Sequence, residues 1–414
     1  MVEIRYGRWM VSLLAAVVGT LLIVCDVAAR EDLRRERAIA EVMRTLNDDE
    51  AKDRTSKSWA ILPQVGFSPD QGVNAGIKFT DRNLFNRGLT LDLDGVVAME
   101  GQQDYKGMLV HPDLAGGRLL TVVEAGFFSD PTEEFFGLGS NRLGPDPIST
   151  HKLRSTGGSV TLAWRLRKEL ALAFGVGYRN VEVSRGKASK DPPVPFTPDL
   201  FPNLTGIEGG NTLPLSFSLI LNNRKDITRP TRGWSVVASI QHVDKSLGSD
   251  FQFTRYSFQA SYLFPLLTRR QVLGLRGGGT YVDGDIEEIP FYELPFLGGD
   301  ESLRGFFKYR FIGRSAALAT AEYRLNLLDF QFLRLWRVRI DGVGFVEGGR
   351  VFISNDDLAN QLGPEFIETL KGKIRFSYGA GLRIALGQAI LARIDAGFSE
   401  EEDTLLYLTF GHTF

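Results

Sequence analysis

Side chains suited to covalent chemistry are sparse and scattered. The histidines stand at His111, His151, His242 and His412, and the only cysteine is Cys25. There is no Gly-x-Ser-x-Gly elbow, no His-Glu-x-x-His pair and no Gly-x-x-x-x-Gly-Lys-Ser/Thr loop, so nothing nominates a hydrolase or a nucleotide enzyme. A lone cysteine forbids an internal disulfide, and dispersed histidines do not make a zinc site. The acidic run Asp283, Asp285, Glu287 and Glu288 offers the oxygen ligands calcium takes, but such runs more often form solvated loops. The expected chemistry is non-catalytic, without metal or cofactor. The sharpest motif is Phe296-Leu297-Gly298-Gly299-Asp300-Glu301-Ser302-Leu303-Arg304-Gly305-Phe306. What it does depends on the elements that hold it.

Those elements read as β-strands. Ile374, Phe376, Tyr378, Ala380, Leu382 and Ile384 share one parity, while Arg375, Ser377, Gly379, Gly381 and Arg383 share the other. Leu172, Phe174, Val176 and Tyr178 alternate with Ala173, Gly175, Gly177 and Arg179 in the same way. This is the pattern of an antiparallel sheet with one apolar face. Strands are expected near 59–68, 72–81, 89–99, 104–111, 118–129, 153–165, 170–182, 211–222, 233–242, 251–265, 271–282, 315–327, 337–347, 374–386, 389–398 and 405–414. The count is even. From the fifth strand on, connections after odd strands are often long (130–152, 183–210, 283–314, 348–373) and those after even strands mostly short. A soluble sandwich has no reason to sort its loops this way. An outer-membrane barrel does, with long outer loops and short periplasmic turns. The expected fold class is all-β: a sixteen-stranded antiparallel transmembrane β-barrel with a short N-terminal helical leader.

Composition fits once it is read by parity. The mean hydropathy of −0.07 excludes a bundle of membrane helices but not a barrel, whose lipid face and polar lumen average out. Glycine, 45 of 414 residues, exceeds the usual ~7%. Its excess is expected on the lumenal parity and in the loop motif. The net charge of −2 gives no reason to expect nucleic acid as a partner.

The amino terminus supplies a compartment. Arg5 and Arg8 precede the apolar run Met10–Val24, and Val27-Ala28-Ala29 offers a small-residue cleavage site, the layout of a secretory signal over residues 1–29. Residues 30–58 are charged, with Leu33, Ile39, Val42, Met43 and Leu46 at loosely helical spacing, and read as a leader and linker. The barrel then occupies 59–414. At its end, Leu406, Leu408, Phe410, His412 and Phe414 share a parity. This stretch resembles the terminal strand signal by which outer-membrane barrels are recognised for assembly, with His412 where a bulky apolar residue is commoner.

The loop motif around Leu303, Arg304, Gly305 and Phe306 resembles the Arg-Gly-Phe loop of the BamA/TamA-type outer-membrane assembly superfamily. That superfamily also includes two-partner secretion transporters and bacterial surface antigens. Phe345-Val346-Glu347-Gly348-Gly349 resembles its Phe-x-Asp-x-Gly strand motif, with Glu in place of Asp. Phe135-Phe136-Gly137-Leu138-Gly139-Ser140-Asn141 and the Asn222–Trp234 turn are weaker similarities. The resemblance implies that the loop folds back into the lumen and that Arg304 meets acidic residues on the wall. Glu347 and Glu322, both on the inward parity, are the candidates, because a partly enclosed guanidinium needs a carboxylate. Gly305 would permit a tight turn and Phe306 would pack beside it.

Typical relatives carry periplasmic POTRA domains before the barrel. The segment 30–58 is shorter than the ~50 residues a folded domain usually needs, so a barrel-only member is expected. The function implied is insertion or translocation of proteins or lipids, through a seam between the first and last strands. The implied partners are outer-membrane lipid, the assembly machinery, and unfolded client proteins or a separate periplasmic partner. The competing expectation is a passive channel or surface antigen without assembly activity.

Overall fold

Period-two alternation leaves each strand with one apolar face and one polar face, and a sheet closed on itself is the arrangement that serves both in a bilayer. The computed structural model describes Val42 and residues 59–114, 116–139, 146–187, 194–224, 230–268, 270–332, 336–363, 372–386 and 390–410. In chain order the strands are β1 (Trp59–Ser68), β2 (Gly72–Leu84), β3 (Leu89–Ala98), β4 (Gln103–Leu114), β5 (Leu119–Phe135), β6 (Ser149–Arg167), β7 (Leu170–Ser184), β8 (Gly210–Thr212) and β9 (Leu215–Asn222). They continue as β10 (Gly233–Val243), β11 (Phe253–Pro265), β12 (Gln271–Asp283), β13 (Phe296–Leu297), β14 (Phe311–Ile312), β15 (Ser315–Phe332), β16 (Trp336–Phe352), β17 (Arg375–Leu386), β18 (Ile390–Phe398) and β19 (Leu405–Phe410). Two short helices, α1 (Thr197–Leu200) and α2 (Asn355–Leu362), lie in outer loops.

β8 and β9 both pair with β7 and form one barrel strand, interrupted at Leu213-Pro214, where proline cannot donate to the ladder. β13 and β14 pair with each other inside the 284–314 loop. The remaining strands each pair with their chain neighbours, and β19 pairs with β1, closing a barrel of sixteen antiparallel strands. No helix among the described residues is long and apolar enough to cross a membrane; the strands do so.

Several strands run further than alternation suggested. β2, β4, β5, β6 and β15 each continue past a register shift, at Asp81/Leu84, His111/Leu114, Asp130/Glu133, Arg165/Arg167 and Asn326/Leu328. Each shift breaks the parity while the ladder continues. Glycine is also distributed differently from expectation. Gly175, Gly379, Gly381 and Gly397 do face the lumen, but Gly277, Gly279, Gly342, Gly344 and Gly348 lie on the lipid-facing parity of β12 and β16.

The main apolar core sits in the outer loops and the loop-side ends of the strands. Phe135, Phe201, Leu204, Phe251, Ile289, Phe291, Tyr292 and Leu358 pack into a dome with Val181, Val243 and Val282 of the wall. A second, smaller cluster lines the lumen: Val110, Leu120, Val122, Ala163, Ala171, Ala173 and Ile220. Val42 packs among these residues and is 1% exposed. The rest of 30–58 and the proposed signal lie outside the described residues.

Candidate functional site: the lumenal loop and its charge network

The 284–314 loop connects β12 to β15, folds inward and delivers Arg304 to a buried wall. Leu303, Phe306 and Phe311 seat the turn in an apolar nest with Leu297, Ala316 and Val351, and the Phe306 and Phe311 rings meet edge to face at 5.0 Å. Arg304 is fully buried. Its backbone N–H donates to Glu347 Oε2 at 2.8 Å and its Nε to Glu347 Oε1 at 3.0 Å. Its Nη1 donates to Glu322 Oε2 at 3.3 Å and to Asp395 Oδ2 at 3.2 Å. The guanidinium carbon lies 3.4 Å from the centroid of the Phe345 ring, a cation–π contact beneath the ion pairs.

The three carboxylates are shared with the surrounding wall. Arg324 Nε donates to Glu322 at 2.7 Å, and Arg383 donates to Glu322 at 3.2 Å and to Asp395 at 2.5 Å. Arg393 Nη2 donates to Asp395 at 3.1 Å and to the Asp300 carbonyl at 3.0 Å, while Ser377 Oγ donates to Glu347 at 2.9 Å. Burial alone would lower the Arg304 pKa; Glu347, Glu322 and Asp395 reverse this and hold it above its ordinary value. The extra methylene of Glu347 lets one carboxylate reach both the backbone and the side chain of Arg304.

Close approach is written into glycine. A Cβ at Gly397 would strike the Arg304 carbonyl, and one at Gly305 would strike the Phe398 carbonyl. Gly305 is therefore needed for a reason other than the expected one. Its φ is not left-handed, and what the position requires is an absent side chain.

The turn also reaches the last strand. Tyr407 of β19 donates its hydroxyl to the Phe306 carbonyl at 3.2 Å. The Phe307 N–H and Arg310 Nε both donate to Glu402, at 2.7 and 2.9 Å. Burial outweighs these contacts and pushes the Glu402 carboxyl up to about 7. Phe136, from the weaker aromatic–glycine motif, lies beneath Arg310 with 5.2 Å to its ring centroid. In the Asn222–Trp234 turn, the Trp234 N–H donates to Asn223 Oδ1 at 2.6 Å.

A second anchor lies on the other side of the lumen. Glu293, in the same loop and 3% exposed, accepts from Arg179 of β7 at 2.5 Å and from Arg255 of β11 at 2.6 Å. Glu288 of the acidic run takes Lys245 Nζ.

Arg304, Glu347 and Glu322, expected from the sequence as loop anchor and acidic partners, come together in the structure. Asp395, Tyr407, Glu402 and Glu293 were not singled out. Asp395 had a signal, since it shares the inward parity of β18 with Arg393 and Gly397. Glu293 had none, because its partners Arg179 and Arg255 stand 114 and 38 positions away. Of the terminal assembly residues, Leu406 and Leu408 lie on the outward parity of β19 and Phe410 ends the strand; His412 and Phe414 lie outside the described residues.

Comparison with known proteins gives the family and the fold. The model of the Omp85 superfamily domain matches residues 65–414. Among solved structures, BamA from Haemophilus ducreyi lacking POTRA domains 1–3 superposes with a TM-score of 0.62 at 17% identity, covering 93% of this chain and 82% of that one. CdiB from Escherichia coli superposes with a TM-score of 0.61 at 12% identity, covering 90% and 70%. Comparison with curated protein sequences returns no match. The family model spans most of the chain, and the fold it implies is the one observed: this chain belongs to the Omp85 superfamily of outer-membrane β-barrels.

Proposed function

We propose that this barrel assists the insertion or translocation of proteins or lipids at the outer membrane, using a seam between β1 and β19 that opens sideways. The observation that carries this reading is that a barrel of the Omp85 superfamily closes by pairing its first strand with its last. β1 meets β19 with Phe67 opposite Leu408. Tyr407 supports the reading further, because it ties the buried loop to the seam strand one residue from Leu408.

The partners proposed are the lipid at the seam, the outer-membrane assembly machinery, and client chains delivered directly or by a separate periplasmic protein. No catalytic step is assigned; Arg304, Glu347, Glu322 and Asp395 brace the loop. A passive channel is less well supported, because the loop occupies the lumen and the dome packs over its outer end. Depletion of the protein followed by quantification of other outer-membrane proteins and lipids tests the proposal. Loss of a subset is expected. Unchanged levels of all of them would sink it.

A further inference from the structure

The outer wall carries a depression remote from the lumenal network. Its floor is formed by Ala238, Gly279 and Ala317, on β10, β12 and β15. Its sides include Tyr256, Phe258 and Phe352. The volume is about 560 Å³, within the range of small-molecule sites. The lining side chains face away from the lumen: Tyr256 and Phe258 are 44% and 53% exposed, while Arg255 between its neighbours is buried inward. The groove lies beside the outer loops, since Phe352 ends β16 and Ala317 stands near the start of β15. It therefore faces the outer leaflet.

Arg350 stands at its edge. It shares the outward parity of Phe352 and lies directly opposite Ala317 across the β15–β16 pair. Its guanidinium carbon is 4.5 Å from the Phe352 ring centroid, and its Nε is buried without a hydrogen-bond partner. Among the described residues no carboxylate pairs with it. Arg154, another outward cation, differs: it is bound to Glu182 at 3.1 Å. A cation on the lipid face is tolerated near the interface, and a guanidinium lacking an acid is suited to phosphate oxygens.

We infer that the groove and Arg350 form a binding site for an outer-leaflet lipid that bears a net-anionic phosphomonoester. One acyl chain lies over Ala238, Gly279 and Ala317 between the aromatic walls, and the headgroup phosphate accepts from Arg350. The occupant is a lipid rather than free phosphate because the cation is sheltered only by an aromatic ring and opens onto an apolar trough. The site does not depend on the activity proposed above; a barrel without that activity would carry it equally.

The test uses the full chain in phosphatidylcholine nanodiscs doped with bis-phosphorylated lipid A, with lipid retained after transfer to mild detergent counted by native mass spectrometry. The wild type is expected to retain lipid A in preference to phosphatidylcholine, whose phosphodiester is neutralised by its own choline. Arg350→Gln should weaken retention by about tenfold or more, the loss of a charge-assisted hydrogen bond. Ala317→Leu, which fills the floor and leaves the charge, should weaken it as well. Heat-modifiable gel mobility establishes that each variant is folded, and Ala317→Leu carries the test should Arg350→Gln not fold. Equal retention by wild type and variants overturns the inference. So does equal retention of phosphatidylcholine, and displacement of the probe by inorganic phosphate would show an anion site without the acyl groove.

Discussion

Arg304 holds its place through an exchange of costs. Removing a guanidinium from water is expensive, and it is tolerated here because three carboxylates and an aromatic face replace the solvent. Deleting Arg304 takes the guanidinium from Glu347 while Glu322 and Asp395 keep Arg324, Arg383 and Arg393, and breaking a buried pair in this way costs about 3–5 kcal/mol. Arg304→Ala should therefore lower the temperature at which the folded barrel unfolds on gels and increase its protease sensitivity. Identical resistance in variant and wild type would refute this. Glu402 behaves in the opposite sense. Its carboxyl is raised from 4.5 to about 7, so the folded protein binds more protons than the unfolded chain between those values. Stability from this site is therefore full below about 4.5 and falls as pH rises towards 7. Glu402→Gln, which cannot ionise, should flatten that part of a stability-versus-pH curve measured by protease resistance; an unchanged slope would count against it. Glu347 and Glu322 were legible from the motif resemblance and the inward parity together, whereas Asp395, on the inward parity of β18, lies outside any motif. Tyr407 and Glu402 were not, because a loop folding back through a lumen chooses partners by proximity that no local spacing encodes.

At the scale of elements, the alternation reading stopped where the strands changed parity. The expected ends at 81, 111, 129, 165 and 327 all fall at or beside register shifts, after which the ladder continues on the other phase. A bulge is invisible to a period-two count, since it looks the same as a strand that has finished. The long and short loops survived this error because turns are marked by composition and not by phase. The β1–β19 seam belongs to this scale too. No cysteine follows Cys25, so a Phe67→Cys, Leu408→Cys pair would introduce the only thiols beyond the proposed signal. Directly opposed residues on antiparallel strands lie within the ~4.4–6.8 Å Cα range of disulfides. The oxidised pair should leave the barrel folded by gel mobility yet abolish any activity that needs the seam to open, with reduction restoring it. Full activity of the locked form would remove the seam from the mechanism.

At the scale of the whole molecule, one loop ties opposite walls together. Arg304 binds residues of β15, β16 and β18, and Glu293 binds Arg179 of β7 and Arg255 of β11. Glu293→Gln keeps the shape but removes the negative charge that two buried guanidiniums share. It should loosen the dome, seen as conductance in planar bilayers and as faster proteolysis of the outer loops, while Arg304 keeps the inner turn in place. A variant as closed as the wild type would show that apolar packing alone seals the outer end. The dome has a further consequence, which concerns the order of folding. Its core joins Phe135, Phe201, Phe251, Phe291 and Leu358, segments separated by most of the barrel's sequence. Such distant contacts are late and slow to form. These aromatic segments must first cross the bilayer unpacked and can find one another only when both halves of the barrel stand side by side. The outer cap is thus a record of completed assembly, and a chain that stalls midway would present its unburied rings to the outside.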